Sequence, residues 1–499
     1  MASNYNGQIF KQLEDVIKKC DNLSQEIKNC KKEHKKEIDR LKEEHRKEVE
    51  KLNKRIDELE EENDILKGKS IEKNSSNSNV APSKDEYKIQ NHREKSLKKQ
   101  GGQKGRKGKT LTIEEVEKLK NNKDVEFIEE HYRNPNSNKT TIKYIMDVKA
   151  KVVVRKIYIH GKKEEKMKEI PEKYKNTSTV IYGENIKALV GVMYAQEVIA
   201  IDRMSEFIGI LSDNKIKVSH GSLCNWVHEL SQKCKKSKKK LKKAIKGCKI
   251  ISTDLTVTSL KGKQAYSRNY SNELVTVFEA SRSKRIHEIK KQNILTNFKG
   301  YIMHDHDTGL YNFGIRRRHL ECWIHLGREL KYFDEYIKNS WSKELWNYAW
   351  NINKKRKENK EKNIMQFTSE EIIEYEAKYD EIVKKGFEEN QKTKSKYLKA
   401  KEKAVLNRLE KYKINYINFI YDFDLPFDDN LSERDLRPIK IKKKISGCHR
   451  SFEGLKEYCN IRTIISTCIK QEKSYFEFFK NILNNKQISI TKTGLIIMP

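Results

Sequence analysis

Three acidic residues, Asp254, Asp305 and Glu433, stand where their type and setting would allow chemistry. Asp254 lies near the end of the apolar run KIISTDL at 249–255, and Asp305 near the end of GYIMHDH at 300–306. Glu433 falls within the first turns of a helix that FDDNLSERDLRPIK at 427–440 begins at a natural cap, Asp429 or Asn430; Pro438 limits how far that helix runs regularly. Carboxylates brought close together repel, so a fold tolerates them when a cation sits between. The usual partner is a pair of Mg²⁺ ions, which take oxygen ligands and flank an in-line phosphoryl displacement. One ion activates water or a 3′-hydroxyl, and the other stabilises the leaving oxygen. A single aspartate at a strand end is ordinarily a solvated turn residue, so the signal lies in three acids on elements that converge. Asp307 rivals Asp305, lying on the same face if the strand continues, although Gly309 argues that the strand has ended. Asp429 reads as a helix cap, and Asp435 as pointing to another face of the helix.

The elements around these acids follow a recognisable order. Strands are expected at 249–255, 264–270 and 274–280, a helix from Ser283 to Thr296, and a fourth strand at 300–306. Three strands, a helix and a fourth strand is the opening order of a ribonuclease-H-like α/β fold, in which the first and fourth strands are neighbours. Residues 326–424 read as helices throughout, the pattern of an all-helical insertion between the second and third acids. Upstream, 184–231 reads as three helices, the last capped by Ser219, an arrangement suited to a helix-turn-helix that reads DNA. A lysine-rich helix follows at 233–246. VVVRKIYI at 152–159 reads as a strand of a small mixed domain. Residues 13–66 carry apolar positions at heptad spacing without Pro or Gly, with a register slip near 38–45, as in a coiled coil with a stutter. A Ser/Asn-rich linker then leads to KSLKKQGGQKGRKGKTL, whose glycines alternate with cations as a minor-groove arm or a flexible basic linker would.

The expected division is a coiled-coil helix at 1–67, a polar linker and basic arm at 68–110, a small mixed domain at 111–180 and a helix-turn-helix-like region at 181–247. The first part of the core follows at 248–325, the helical insertion at 326–424, the remainder of the core at 425–485 and a tail at 486–499. The 499 residues carry a formal net charge of +34, with Lys and Arg in blocks rather than evenly spread. Such a surplus attracts polyanions, because each neutralised phosphate releases counterions. No apolar stretch is long enough to cross a membrane, and MASNYNGQIFKQLEDV lacks the apolar centre of a secretory signal, so a cytoplasmic location is expected. Nine cysteines, mostly isolated, fit reduced thiols. His319, Cys322 and His325, at three-residue spacings, would allow a zinc site if they shared a helix; a structural or DNA-contacting role is favoured.

Four passages resemble the transposases of bacterial insertion-sequence family sixty-six, TnpC type: GGQKGRKG at 101–108, SHGSLCNWV at 219–227, GYIMHDHDTGLYNFG with HLECWIHLGREL at 300–330, and FDDNLSERDLRPIKIKKKISGCHRS at 427–451. The resemblance implies DDE chemistry on a ribonuclease-H-like core, with Asp254, Asp305 and Glu433 as ligands of two Mg²⁺ ions, Mn²⁺ being able to substitute. It places Cys322 and His325 in a Cys-x-x-His signature beside the site. DNA contacts are expected from Lys104, Arg106, Lys107 and Lys109 of the arm, Ser222 and Asn225 of the helix-turn-helix, and Arg434, Arg437, Lys440 and Lys442 beside the glutamate. The expected partners are double-stranded DNA, as element ends and target, and a second copy of the chain through the coiled coil. The family also commonly works with small accessory proteins. Many relatives carry a cysteine-pair zinc domain before the helix-turn-helix; no cysteine lies between Cys30 and Cys224, so no structural zinc is expected. The rival readings are a catalytically silent DNA-binding relative and a nuclease that cuts without joining.

Overall fold

The computed structural model of the chain describes residues 3–70, 113–121, 127–129, 151–158 and 180–499. The heptad region forms one helix, α1 (Ser3–Ser70), and its seam side chains, Leu41 and Leu52 among them, are exposed. A short α2 (Ile113–Lys118) follows. The basic arm, with Lys104, Arg106, Lys107 and Lys109, lies outside the described residues, as does most of 111–180. Residues 151–158 do not form the expected strand. A strand needs a neighbour for its backbone groups, and here Val153 and Val154 point into solvent without one among the described residues.

The remaining elements, in chain order, begin with α3 (Glu184–Ala195), α4 (Ile201–Leu211) and α5 (His220–Lys246). They continue with β1 (Ile250–Ser252), β2 (Leu255–Leu260), β3 (Lys263–Ser271), β4 (Thr276–Ser281), α6 (Ile286–Gln292), β5 (Tyr301–His304) and β6 (His319–Glu321). The helices α7 (Trp323–Tyr336), α8 (Ser340–Glu361), α9 (Ser369–Gln391), α10 (Lys396–Lys411) and α11 (Lys413–Tyr421) come next. The chain closes with α12 (Asn430–Ser446), α13 (Phe452–Lys470), α14 (Tyr475–Leu483), β7 (Ser489–Ile490) and β8 (Ile496–Ile497).

Two compact units emerge. One comprises α1 with Arg328–Asn351 and Thr368–Lys413. Its α8, α9 and α10 are tied by a buried carboxylate: Glu402 accepts from Trp341 Nε1 (2.6 Å), Asn339 Nδ2 (2.8 Å), Asn390 Nδ2 (2.8 Å) and Thr393 Oγ1 (3.2 Å). The stretch expected as the insertion is helical, as its periodicity implies, although Ile352–Phe367 and the residues from Ile414 onward group with the other unit.

That other unit is built on a mixed sheet. β1 and β2 follow one another along the same edge of β3 (Ser252↔Ser271, Leu255↔Arg268), while β4 pairs with its other edge. β1 runs parallel to β5, and β5 parallel to β6. The expected strand at 249–255 is therefore two strands broken at Thr253 and Asp254, and β6 is an addition to the expected set. A Cβ at Gly300 would stand 2.5 Å from the Lys249 carbonyl oxygen, so glycine there lets β5 start close beside β1. Parallel pairing requires a crossover, and the α6 segment makes the one between β4 and β5. The expected adjacency of first and fourth strands holds as β1 beside β5, and the architecture is consistent with a ribonuclease-H-like core.

The sheet, α3, α5, α13 and α14 share a single hydrophobic core that includes Leu230, Leu241, Ile251, Phe278, Ile302, Ile464 and Phe478. Ser219 caps α5 by accepting the Ser222 N–H at 3.1 Å, as its sequence position implies. The lysine-rich stretch is the continuation of that same helix rather than a separate one. Part of it is structural, since Lys238 is buried against Glu279 (3.2 Å). The expected tail instead turns back as the β7–β8 hairpin, whose Ile496, together with Ile488, joins the core. Among the described residues no helix is long and apolar enough to cross a membrane.

Candidate active site

Asp254 occupies the break between β1 and β2, where the backbone leaves one strand and has not yet entered the next. Its N–H donates to Asn269 Oδ1 (2.9 Å), and its own Oδ1 accepts the Leu255 N–H (2.6 Å). Burial, and then the charge of Asp305, push the Asp254 carboxyl up to about 7. Asp305 is the first residue after β5, and since β5 is the neighbour of β1 the two acids meet at one end of the sheet. Burial raises its carboxyl as well, with His325 and Arg268 pulling it down and Asp307 adding to the rise. Glu433 lies in the first turn of α12, half-buried, with Oε1 3.1 Å from His325 Nε2.

The rival acids separate cleanly. Asp307 accepts from Arg268 Nη2 (2.7 Å) and from the Gly309 N–H (3.1 Å), capping the 3₁₀ turn at 308–312, so the strand has ended where Gly309 suggested. Asp435 is buried against Lys470 (2.6 Å) and the Thr276 hydroxyl (2.7 Å). Asp429 departs from expectation. It precedes α12 but its side chain caps nothing. It is 0 % exposed, and both carboxylate oxygens lack a hydrogen-bond partner. Burial, followed by the charges of Asp254, Asp305 and Glu433, raises its carboxyl well above the usual range; the nearby Ser252 hydroxyl offsets part of this without reaching hydrogen-bond geometry.

The supporting residues were not singled out from the sequence. Asn269, buried on β3, donates to Ser432 O (3.1 Å) and accepts from the Ser432 hydroxyl (2.8 Å) as well as from Asp254 N–H. One side chain thus ties the Asp254 turn to the residue before Glu433. Arg268, 2 % exposed, sets a buried cation beside the acids. The segment after Asp305 is held by Glu321, which accepts from the Tyr311 hydroxyl (2.6 Å) and faces His306 Nδ1 at 2.8 Å. Adjacent Arg268 and Asn269 offered one signal: neighbours on a strand face opposite ways, so in a sheet covered on both sides at least one polar group must be buried.

Cys322 and His325 do lie beside the acids. Cys322 Sγ accepts the Asp429 N–H (3.2 Å), and burial pushes its thiol up, away from the reactive thiolate. The zinc arrangement with His319 fails, because His319 is a buried residue of strand β6 rather than of the helix. Its ring nitrogens lie 3.0 Å from His304 Nε2 and 2.9 Å from Phe313 O. Arg434, Arg437 and Lys440 are exposed on α12. Lys442, expected to contact DNA, is buried. It is 7 % exposed, its ammonium lies 4.8 Å from the Tyr194 ring centre, and burial lowers it to about 8. On α5, Asn225 is exposed and Ser222 half-buried.

Among the described residues no group of three His, Cys, Asp or Glu side chains is already gathered closely enough to hold a metal ion. The donor chemistry nevertheless suits a hard divalent cation. The acids offer carboxylate oxygens, Asp305 raises the Asp254 carboxyl, and the two orphaned oxygens of Asp429 are buried where Asp254, Asp305 and Glu433 all act on them. No curated protein is significantly similar to the chain. Residues 179–457, more than half of the chain, match the family described as "Transposase IS66 family", and that span includes Asp254, Asp305 and Glu433.

Proposed function

The chain belongs to the IS66 family of transposases, and from that premise we propose that it binds the terminal inverted repeats of its own element and catalyses DNA strand cleavage and strand transfer. The observation that carries the reading is the convergence of Asp254, Asp305 and Glu433 from the ends of β1 and β5 and from α12, with the charge of Asp305 raising the Asp254 carboxyl. DDE transposases generally use divalent metals. Two Mg²⁺ ions held by these acids would supply nucleophile activation and charge stabilisation at the leaving oxygen.

The protein's own groups prepare that chemistry. Asn269 holds the Asp254 turn and α12 together, so the first and third acids keep their separation. His325 holds the Glu433 carboxylate from α7. Arg268, deep in the sheet, balances part of the negative charge without reaching solvent. Arg434, Arg437 and Lys440 project from the helix that carries Glu433, which suits them to hold the DNA backbone at the scissile phosphate. No side chain needs to form a covalent bond to DNA, because water or a 3′-hydroxyl is the nucleophile.

The test supplies the purified chain and any accessory proteins with duplex DNA bearing the element's ends, in Mg²⁺ or EDTA, together with a pre-cut end carrying a 3′-hydroxyl. Metal-dependent cleavage and joined products, reduced at least a hundredfold by Glu433→Gln with end binding retained, support the reading. End binding without cleavage by the wild type overturns it in favour of a DNA-binding relative, and cleavage without joining in favour of a nuclease.

A further inference from the structure

Four carboxylates are buried among the described residues: Glu321, Glu402, Asp429 and Asp435. Three have their charge accounted for. Glu321 meets His306 and Tyr311, Glu402 accepts four hydrogen bonds, and Asp435 pairs with Lys470 and Thr276. Asp429 has no hydrogen bond on either oxygen, the nearby Ser252 hydroxyl falling short of one. An ionised carboxylate buried without a partner is strongly disfavoured, and the fold derives no capping bond from this one.

We propose that Asp429 is a fourth carboxylate of the divalent-metal site, binding the same cation or cations as Asp254, Asp305 and Glu433, directly or through one water. The inference rests on the metal-dependent reading above and deepens it. Its position is fixed independently of any metal. The Asp429 N–H donates to Cys322 Sγ, which follows β6, and α12 begins at the next residue, so the side chain is anchored between the elements that carry His325 and Glu433. After burial itself, the charges of Asp254, Asp305 and Glu433 act most on the Asp429 carboxyl. A cation placed among four carboxylates would remove a repulsion that the protein alone leaves in place, and it would satisfy the two orphaned oxygens at once. Asp428, the preceding residue, is not equivalent: its Oδ1 accepts the Asn430 N–H at 3.1 Å, a turn contact that asparagine can also make.

The experiment is calorimetric titration of Mn²⁺ into the full chain, comparing wild type, Asp429→Asn, Asp428→Asn and Glu433→Gln. The expected result is Mn²⁺ affinity at least tenfold weaker in Asp429→Asn and within twofold of wild type in Asp428→Asn. Asp429→Asn binding within twofold of wild type overturns the proposal, and a simply protonated structural acid would give that result. If Glu433→Gln loses Mn²⁺ while Asp429→Asn does not, only the fourth carboxylate falls; if the wild type binds no Mn²⁺, the underlying metal reading falls with it. Should Asp429→Asn not fold, anomalous scattering from Mn²⁺-soaked wild-type crystals decides. An Asp429 oxygen on the ion or one water away supports the proposal, and ions ligated without it overturn it.

Discussion

Burial withdraws Asp254 from water while Asp305 sets a second negative charge beside it, and together they hold the Asp254 carboxyl at about 7 against 3.8 for an ordinary aspartate. The sign of the consequence follows from proton linkage. Between the two values the folded chain keeps a proton that the unfolded chain has released, so this group's contribution to stability is full below about pH 4 and is lost as the pH rises through about 7. In EDTA, the wild type should lose stability relative to Asp254→Asn as the pH is raised from 4 to 8, and saturating Mg²⁺ should remove most of that loss. Urea melts of both proteins across this range check it, and a gap that does not change with pH refutes it. Asp254 and Asp305 were legible as acids near the ends of apolar runs, and Glu433 as an acid in the opening turns of a helix. Asp429 was not, since an aspartate before a helix ordinarily caps it; its burial depends on Cys322 and β1, far away in sequence. The burial of Lys442 was hinted at by helical periodicity: it shares a face with buried Asp435 and Ile439, seven and three residues before it.

Elements were readable where periodicity alone defines them and unreadable where a partner does. The helices between 326 and 424 are long enough for their apolar stripes to show, whereas β6 is three residues whose strand character comes from pairing with β5. The break between β1 and β2 is hidden inside a continuous apolar run, and VVVRKIYI has strand composition without a neighbouring strand among the described residues. Helix periodicity also left Glu402 unnoticed, because a glutamate on a lysine-rich helix looks solvated. In the folded chain it is the acceptor on which α8, α9 and α10 converge. Glu402→Ala would leave buried Trp341 Nε1 without its acceptor and take one of two acceptors each from Asn339 and Asn390, at a cost of about 1–3 kcal/mol for each N–H left unsatisfied. A loss of roughly 3 kcal/mol or more is expected in urea unfolding of the full chain. Glu402→Gln should fall between mutant and wild type, because one acceptor oxygen survives while the amide now meets donors. A loss below about 1 kcal/mol for Glu402→Ala would mean that water replaces the carboxylate.

A transposase must bring two ends of one element together, and α1 is the part of this chain suited to pairing two copies. Its 68 residues expose an apolar seam, with Ile27 53 %, Leu41 54 % and Leu52 56 % exposed, flanked by ion pairs within the helix such as Arg46–Glu43 at 2.8 Å. Those intrahelical pairs add only tenths of a kcal/mol each, and most helices in proteins depend on packing of their apolar face. Burying a leucine side chain fully yields about 1.5–3 kcal/mol, so a seam of this length meeting its copy would outweigh the surface charges many times over. The slip of heptad register near 38–45 is a local change of winding rather than an end to the seam, and side chains on both sides of it should contribute. The full chain is therefore expected to sediment as a dimer or larger assembly. Introducing Ile27→Lys and Leu52→Lys together, one on each side of the slip, should halve the dimer's mass. Equilibrium sedimentation of both proteins at micromolar concentration provides the check. An unchanged mass in the double variant would assign oligomerisation to another surface, and the pairing of element ends would then have to be sought there.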